Sequence, residues 1–285
     1  MLKRKDIASL VLVFVVFGIQ TCFSQNIGKA SFPKGFVFGT DSSAFQVLKG
    51  TFQDQMIIAL PVGKKPPPVP AWLVQTWPAG YCAASSTKCS KPTIPASFTI
   101  HGLWPIDNDG HVLNKVDDDG HSLPGRKLNR TQFKNLVLDY FPNLVKDLRK
   151  KWPSLIIESD EDFWLHEWDR HGRQQPVIQP SNYFFTTRDM AERTDLLNAL
   201  KAKGIVPGHN LRYPIVDIEN AITKKIGYKP LLLCYKTNTL SELVLCVDDA
   251  KAQKFAPCKE QKYPNLCAGP RIEFLSVITN GALVV

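Results

Sequence analysis

Six cysteines that follow a hydrophobic leader constrain the fold of this 285-residue chain more than any other feature. The leader has three basic residues at 3–5, an apolar stretch over 7–19, and small residues at Cys22 and Ser24. This order is typical of a secretory signal peptide, so we expect residues 1–24 to be removed and the protein to be secreted. A membrane anchor is the alternative, but the apolar stretch is shorter than the ~20 residues that a membrane span needs.

An even number of cysteines in an oxidising compartment predicts disulfides. The sequence alone favours one pair, Cys82–Cys89, because its members lie close together in the chain. Zinc binding is the competing interpretation, but no spacing among these cysteines is CxxC, and we expect no metal. In the same compartment, the sequon Asn129-Arg130-Thr131 predicts an N-linked glycan at Asn129. The six cysteines are Cys82, Cys89, Cys234, Cys246, Cys258 and Cys267.

The composition is that of a basic globular protein. Apolar residues make up 44% of the chain and charged residues 21%, and the formal net charge is +9. A positive charge favours a polyanionic partner. Three adjacent prolines, Pro66–Pro68, favour an extended spacer over packed structure. We therefore divide the chain into a signal peptide at 1–24, an extension with a proline-rich linker at 25–70, and a folded domain at 71–285, which we expect to be monomeric and free of the membrane.

Apolar spacing predicts several helices between short strands, which is typical of an α+β fold. The helices begin or end at residues that commonly cap helices, namely Thr131, Asp160, Gly204 and Gly227. The predicted strands are 71–77, 98–101, 230–235, 242–247 and 271–275, and the predicted helices are 131–140, 144–151, 161–171, 181–203 and 214–226.

Two short segments concentrate the chemistry: FTIHGLWP at residues 98–105 and FWLHEWDRHG at residues 163–172. Between them they place three histidines beside acids, an arginine and aromatic rings. Because a helix turns about 100° per residue, the polar side chains of the second segment can face one cleft while its tryptophans contact the core. The candidate site residues are His101 from the first segment and His166, Glu167, Arg170 and His171 from the second.

The pair His166-Glu167 also begins the zinc-protease motif HExxH, which would make the chain a metalloprotease. That motif needs its second histidine four residues after the first, whereas His171 follows His166 by five. Histidines on an ordinary surface helix are the plainer alternative. The second histidine-bearing segment argues against it.

Three histidines, an arginine and a glutamate suit the cleavage of RNA. One histidine can accept a proton while another donates one, because histidine titrates near pH ~6.5. Cationic side chains stabilise the negative charge that grows on a phosphate during the reaction. RNA supplies its own nucleophile, the 2′-hydroxyl, so no serine, cysteine, metal or cofactor is required. A basic surface attracts the RNA substrate.

At these two segments the chain resembles the ribonuclease T2 family, whose signatures are FTIHGLWP and a helix of form FWxHEWxKHGTC. The resemblance runs from about Trp72 to Leu275. It implies an α+β fold in which an antiparallel sheet packs with several helices. It also implies a metal-independent endoribonuclease that cleaves single-stranded RNA by transphosphorylation to 2′,3′-cyclic phosphates.

The resemblance implies a role for each candidate residue. His171 would be the general base on the 2′-hydroxyl, and His101 would be the acid that protonates the leaving 5′-oxygen. His166 would hold the phosphate, while Glu167 and Arg170 would stabilise the transition state.

Within the family, the chain is similar to the plant S-RNases, the pistil proteins of self-incompatibility, and to their relatives. This similarity implies a pistil or defence role, while the resemblance to the ribonuclease T2 family as a whole implies that Trp104 forms a wall of the base-binding site. The similarity to the S-RNases also implies a nested disulfide pattern, with Cys246–Cys258 inside Cys234–Cys267.

The departures from the family pattern affect one disulfide and the site. Arg170 replaces the usual lysine, which keeps the charge but changes its shape. Arg173 and Gln174 stand where Thr-Cys normally follow, and no partner cysteine lies between residues 105 and 166, so one family bridge is absent as a whole. Thr76 replaces a frequent glutamine, which leaves the base preference open. A catalytically weak or inactive binding protein is therefore the alternative function.

The stretch FPKGFVFGTDSSAFQV at residues 32–47 has a second resemblance, to the start of a family 1 β-glucosidase. The rest of the chain has no room for a (β/α)₈ barrel, so we expect no glycosidase activity. A gene fusion and a misplaced gene boundary would produce the same sequence. We expect this extension to be disordered or to add to a sheet edge.

Overall fold

A computed structural model describes residues 68–84, 89, 94–113, 125–156, 159–174, 178–235, 238–259, 265–279 and 282–284. The expected signal peptide, the β-glucosidase-like stretch and most of the expected linker lie outside these residues. The division of the chain near residue 70 stays a prediction. Val69 is fully buried, and its carbonyl accepts the Ala250 N–H at 2.8 Å.

Nine strands are found among the described residues. Seven form one sheet in the order β2-β1-β5-β7-β3, with β4 and β6 also pairing with β5, while β8 and β9 form a separate pair. All pairs in the main sheet are antiparallel except β5–β7, which meet in parallel at Thr239 and Glu273. The strands are β1 (Ala71–Thr76), β2 (Thr99–Pro105), β3 (Arg212–Pro214), β4 (Leu231–Tyr235), β5 (Thr239–Asp249), β6 (Lys254–Phe255), β7 (Arg271–Glu273), β8 (Val277–Thr279) and β9 (Ala282–Val284).

Most of the helices lie between β2 and β4 in the chain, which confirms the predicted α+β class. A π-helical turn, Lys134–Leu138, follows α2, and a 3₁₀ turn, Gly172–Gln174, follows α4. In the part of the chain that the structure describes, no helix is both long and apolar enough to cross a membrane. The helices are α1 (Pro78–Ala84), α2 (Arg130–Phe133), α3 (Pro142–Lys151), α4 (Asp160–Arg170), α5 (Pro180–Thr194), α6 (Leu196–Lys201) and α7 (Ile215–Ile226).

Two of the predicted helix caps were wrong by one or two residues. Asn129, rather than Thr131, caps α2, since its side chain accepts the Gln132 N–H at 2.9 Å and Gln132 accepts the Asn129 N–H at 3.0 Å. This reciprocal arrangement is a capping box, and it satisfies two backbone donors at once. Ser159, rather than Asp160, caps α4, because its hydroxyl accepts the Asp162 N–H at 3.2 Å.

The long helix predicted over 181–203 is in fact two helices. Asp195 adopts a left-handed backbone with φ +42°, which ends α5 and begins α6. Aspartate tolerates this conformation better than most residues, but its presence alone does not predict it. The sequence has no glycine or proline there to indicate a break. Helix α1 was also not predicted, because Pro78 was interpreted as the end of a strand, whereas it is the first residue of the helix.

Tryptophans are prominent in the hydrophobic core. Trp77, Trp152, Trp164 and Trp168 are fully buried, and the Trp164 indole donates to the Trp152 carbonyl at 2.7 Å. The structure contains the disulfides Cys82–Cys89, Cys234–Cys267 and Cys246–Cys258, which are the expected pairs. The last two begin within β4 and β5 and link these strands to the segment that follows β6.

Candidate active site

His101 extends from a bulge in β2. The register between β1 and β2 shifts here, so that Gly102 and Ile100 pair with consecutive residues of β1 and His101 has no partner on that strand. A bulge re-aims the side chain of its extra residue, which is why bulges are common beside active sites. The Trp152 indole donates to the His101 carbonyl at 2.8 Å and fixes the backbone of the bulge.

Glu167 is a buried carboxyl group that faces β2 from helix α4. Its Oε2 accepts the Trp104 indole N–H at 3.0 Å. A Cβ at Gly102 would lie 2.2 Å from this oxygen and 2.5 Å from the indole nitrogen, so the contact requires glycine at that position. Burial raises the pKa of Glu167 to about 7, although the nearby His101 charge and the Trp104 hydrogen bond oppose the increase.

His171 terminates α4 and is held as a neutral imidazole. Its backbone N–H donates to the Glu167 carbonyl at 2.9 Å, and its ring stacks on Trp104 with centroids 4.8 Å apart. Only 7% of His171 is exposed. Burial lowers the pKa of His171 to about 3, and the positive charges of His101, Arg170 and His166 add to this effect.

His166 and Arg170 lie on the exposed side of the same helix. Burial, Arg170 and His101 lower the pKa of His166, while Asp169 opposes them. The structure therefore brings His101, Glu167 and His171 together around Trp104, with His166 and Arg170 at the open edge. These six residues are all the candidate site residues predicted from the two motifs.

Sequence reasoning missed Glu242, on β5, as a contact of His101. Its Oε1 lies 2.5 Å from His101 Nδ1. Burial lowers the pKa of His101, but the charge and hydrogen bond of Glu242, together with the charge of Glu167, outweigh burial and raise it to about 9. The available signal was an acidic residue at the start of the predicted strand 242–247, whose other residues are apolar.

Arg173 stands directly before Gln174, the position where the family resemblance expects the missing cysteine. Its side chain is 3% exposed and contacts Asp169 Oδ1 at 2.8 Å. It also donates through Nε to the Gly125 carbonyl at 3.2 Å, and the Gly125 N–H donates to the Arg173 carbonyl at 2.7 Å. The Trp168 indole donates to the next carbonyl, Arg126, at 3.0 Å. The segment at 125–126 is thus fastened to the end of α4 without a covalent bond.

One acidic turn among the described residues has the composition of a cation site. Asp107, Asp109 and His111 place ligand atoms within 4.8 Å of one another, and two of the three residues are exposed. Asp107 Oδ1 already accepts the N–H groups of Asp109 and His111, both at 2.9 Å. The turn belongs to no part of the histidine cluster.

His101 and His171 contact the same indole, and their pKa values are displaced in opposite directions. His101 meets Trp104 edge-on with centroids 4.9 Å apart, and His171 stacks on the same ring. Groups whose surroundings displace their pKa values in opposite directions are suited to be the acid and the base of one reaction. The fold and the site together are therefore suited to an enzyme that uses acid–base catalysis.

Comparison with known proteins identifies the family. The ribonuclease T2 family model matches residues 71–258. The intracellular ribonuclease LX of Solanum lycopersicum is 33% identical over 73% of this chain and 84% of its own length. The extracellular ribonuclease LE of the same plant is 31% identical over 62% of this chain and 75% of its own length.

A solved structure extends the similarity to the fold. RNase NT, crystallised with 5′-AMP, is 29% identical and aligns with a TM-score of 0.59 over 74% of this chain and 99% of its own. The chain belongs to the ribonuclease T2 family. It is an endoribonuclease of the metal-independent type that forms 2′,3′-cyclic phosphates.

Proposed function

We propose that this chain is a secreted endoribonuclease of single-stranded RNA whose proton transfers are made by His171 and His101. His171 removes the proton of the 2′-hydroxyl, and the 2′-oxygen then attacks the adjacent phosphorus. The bond from phosphorus to the 5′-oxygen breaks, and His101 gives that oxygen its proton. The products are a 2′,3′-cyclic phosphate and a free 5′-hydroxyl.

The opposite pKa displacements of the two histidines around Trp104 carry this proposal. At neutral pH, His171 has no proton on its basic nitrogen and His101 is charged, because their pKa values are about 3 and about 9. A base must begin the reaction unprotonated and an acid must begin it protonated. Both are therefore in the required state before RNA binds.

The remaining residues support the charge that develops on the phosphate. Glu167, with its pKa raised to about 7, carries a proton in mildly acidic solution and can donate it in a hydrogen bond to a phosphoryl oxygen. We assign Arg170 to the same charge and His166 to phosphate binding, since both are exposed beside the cluster. Trp104 provides a wall for a base on the part of its ring that His171 does not cover.

Removal of either histidine tests the mechanism. We expect His171→Ala and His101→Ala to lower the rate of RNA cleavage at least ~10²-fold, the usual contribution of a general acid or base. His111→Ala is the matched control, because this exposed histidine lies on the acidic turn outside the cluster. The assay measures cyclic-phosphate ends without added metal and again with EDTA, which should leave the rate unchanged.

Near wild-type turnover in either folded variant would contradict the roles given to the histidines. If the folded wild-type protein itself fails to cleave RNA, the alternative of an inactive binding protein gains support. That alternative would agree with the absent family disulfide.

The pH dependence of the rate gives a second test. The rate should fall on the acidic side as His171 gains a proton, with its pKa near 3, and on the alkaline side as His101 loses one, with its pKa near 9. Between these two limbs the rate should fall only modestly, as Glu167 loses the proton that it donates, with its pKa near 7. A narrow optimum bounded by two ordinary histidine values near ~6.5 would contradict the assignment.

Secretion rests on the leader, since the names of the two tomato relatives point to different compartments. The test is to sequence the amino terminus of protein collected from the medium of expressing plant cells, which should begin at Gln25. Finding the protein inside the cell with its leader intact would contradict secretion. A role in the pistil or in defence rests on the S-RNase resemblance. Gel filtration of the secreted protein tests the expectation that it is a monomer.

An N-linked glycan at Asn129 is compatible with the role of this residue as the cap of α2. Asn129 is exposed and caps α2 through Oδ1, whereas an N-linked glycan would be attached to the side-chain nitrogen. Asn129→Asp removes the attachment point and keeps a capping oxygen. A mobility shift with glycosidase that persists in this variant would place the glycan elsewhere.

A further inference from the structure

We propose that Glu242, which neither motif contains, is the positioning residue of the catalytic acid. Its carboxylate accepts the Nδ1 proton of His101 and so reserves Nε2 as the donor to the leaving oxygen. The contact between Nδ1 and Oε1 is 2.5 Å long. This proposal rests on the function proposed above, since it assigns a partner to the acid of that reaction.

Three adjacent strands bring the pair together. Thr76 of β1 lies opposite Thr99 of β2 on one side and opposite Glu242 of β5 on the other. Residues directly opposite one another in an antiparallel pair present their side chains on the same face of the sheet. Glu242 therefore shares a face with the strand end that leads into the bulge at His101.

The carboxylate is held in place before any substrate arrives. The Thr76 hydroxyl donates to the same Oε1 at 3.3 Å. The side chains of His101 and Glu242 are 21% and 14% exposed, so their attraction is weakened by water less than that of a surface pair. A partly buried imidazolium is stabilised by such an anchored anion.

Other charged groups face His101 from the neighbouring elements. They either lie near a different atom of the ring or carry a charge that disfavours its protonation. Glu167 of α4 lies 3.9 Å from Nε2, on the opposite side of the imidazole from Glu242. His166 of the same helix and His171 at its end interact unfavourably with a charged His101, and Arg170 beside them has the same sign. The Tyr81 phenol ring of α1 lies edge-on at 6.3 Å. Of these groups, Glu242 alone binds Nδ1.

The contact also determines the state of His101 after the reaction. Once Nε2 has given up its proton, the neutral ring keeps the Nδ1 proton that is bonded to Glu242. The tautomer is thereby fixed, and the next proton returns to Nε2. Without this partner, either nitrogen could hold the single proton, and part of the population would present the wrong one.

The test compares two glutamates that differ in their contact with the acid. Glu242→Gln keeps the size of the side chain and removes its charge. The matched control is Glu273→Gln, on β7, because Glu273 also accepts a threonine hydroxyl, that of Thr239 at 3.1 Å, and contributes nothing to the site. The full-length wild-type protein and both variants are assayed on RNA across the pH range, and histidine titrations are followed by NMR.

We expect the alkaline limb of kcat to move down by about 1–3 pH units in Glu242→Gln, the usual effect of removing a close opposite charge. KM should change much less, and Glu273→Gln should match the wild type. Glu242→Asp, which keeps the charge, should recover part of the shift. An alkaline limb at its wild-type position in folded Glu242→Gln would overturn the proposal.

NMR of the wild-type protein keeps the test decisive even if Glu242→Gln fails to fold. His101 should titrate well above an ordinary histidine, and a value at or below ~6.5 would refute the partnership. Failure of the proposed function has a different signature, namely full cleavage by His101→Ala. In that case a group other than His101 causes the alkaline limb, whether or not Glu242→Gln shifts it.

Discussion

The C-terminal half of the sheet and the end of α4 are secured in different ways. Around β4 and β5, the bridges Cys234–Cys267 and Cys246–Cys258 link segments of the chain covalently. At the end of α4, the buried Arg173 links the helix to the backbone at 125 through an ion pair and hydrogen bonds. The region that carries four of the five candidate catalytic residues is thus held by non-covalent contacts.

Because the two regions are secured in different ways, mutations in them should have different effects on stability and on activity. A disulfide acts mainly on the unfolded chain, whose freedom it restricts, so its removal lowers stability wherever the bridge lies. A buried arginine acts in the folded state, where it satisfies specific acceptors and fixes their positions. Loss of a bridge should therefore affect unfolding, whereas loss of Arg173 should affect unfolding and catalysis together.

The largest loss of stability should come from removing the wider bridge. Cys234→Ala with Cys267→Ala opens a loop with a sequence separation of 33 residues, which corresponds to about 3–4 kcal/mol of unfolding free energy. Denaturant unfolding measures the loss. The cleavage rate per folded molecule should stay within about twofold of wild type, and a large fall in that rate would show that the bridge also positions the site.

Arg173→Met should lower the free energy of unfolding by about 2–3 kcal/mol, because it leaves the Gly125 carbonyl and Asp169 without their donor. Its cleavage rate should fall as well, since the end of α4 then loses a tether beside His171. The matched control is Arg193→Met, whose guanidinium makes an exposed contact with the Gln253 carbonyl at 3.1 Å. If Arg173→Met loses stability at full activity, Arg173 holds the fold and not the site.

The smallest effect should come from Asp169→Asn. Asp169 is 42% exposed, so water screens its pairing with Arg173 and the loss should be below ~1 kcal/mol. The Arg173 bonds with the 125 backbone remain in this variant. A loss as large as that of Arg173→Met would show that the ion pair, rather than the backbone contact, is the main connection.

The sequence predicted the parts of this structure that depend on local pattern. The strand at 71–77, the helix after Asp160 and the pairing Cys82–Cys89 all follow from spacing along a short stretch of chain. The two motifs also nominated the histidines, because their residue types are concentrated there. The boundaries were less exact, since a cap such as Ser159 competes with several neighbouring polar residues for the same role.

The parts that the sequence did not predict depend on long-range register. Glu242 meets His101 only because β1 separates their strands and β2 contains a one-residue bulge. Arg173 is one of many arginines in this basic chain, and its burial depends on how Gly125 approaches it. In both cases the partners lie far apart in sequence, and no spacing rule connects them.

The position of β1 between β2 and β5 has a consequence for the order in which the protein is made. β1 begins at Ala71, but its partner β5 spans Thr239–Asp249. During synthesis, therefore, the strand that carries His101 and the helix that carries His171 both leave the ribosome long before the strand that carries Glu242. The sheet cannot close until nearly the whole chain has emerged. The contact that we propose to position the catalytic acid can therefore form only when translation of the message is almost finished.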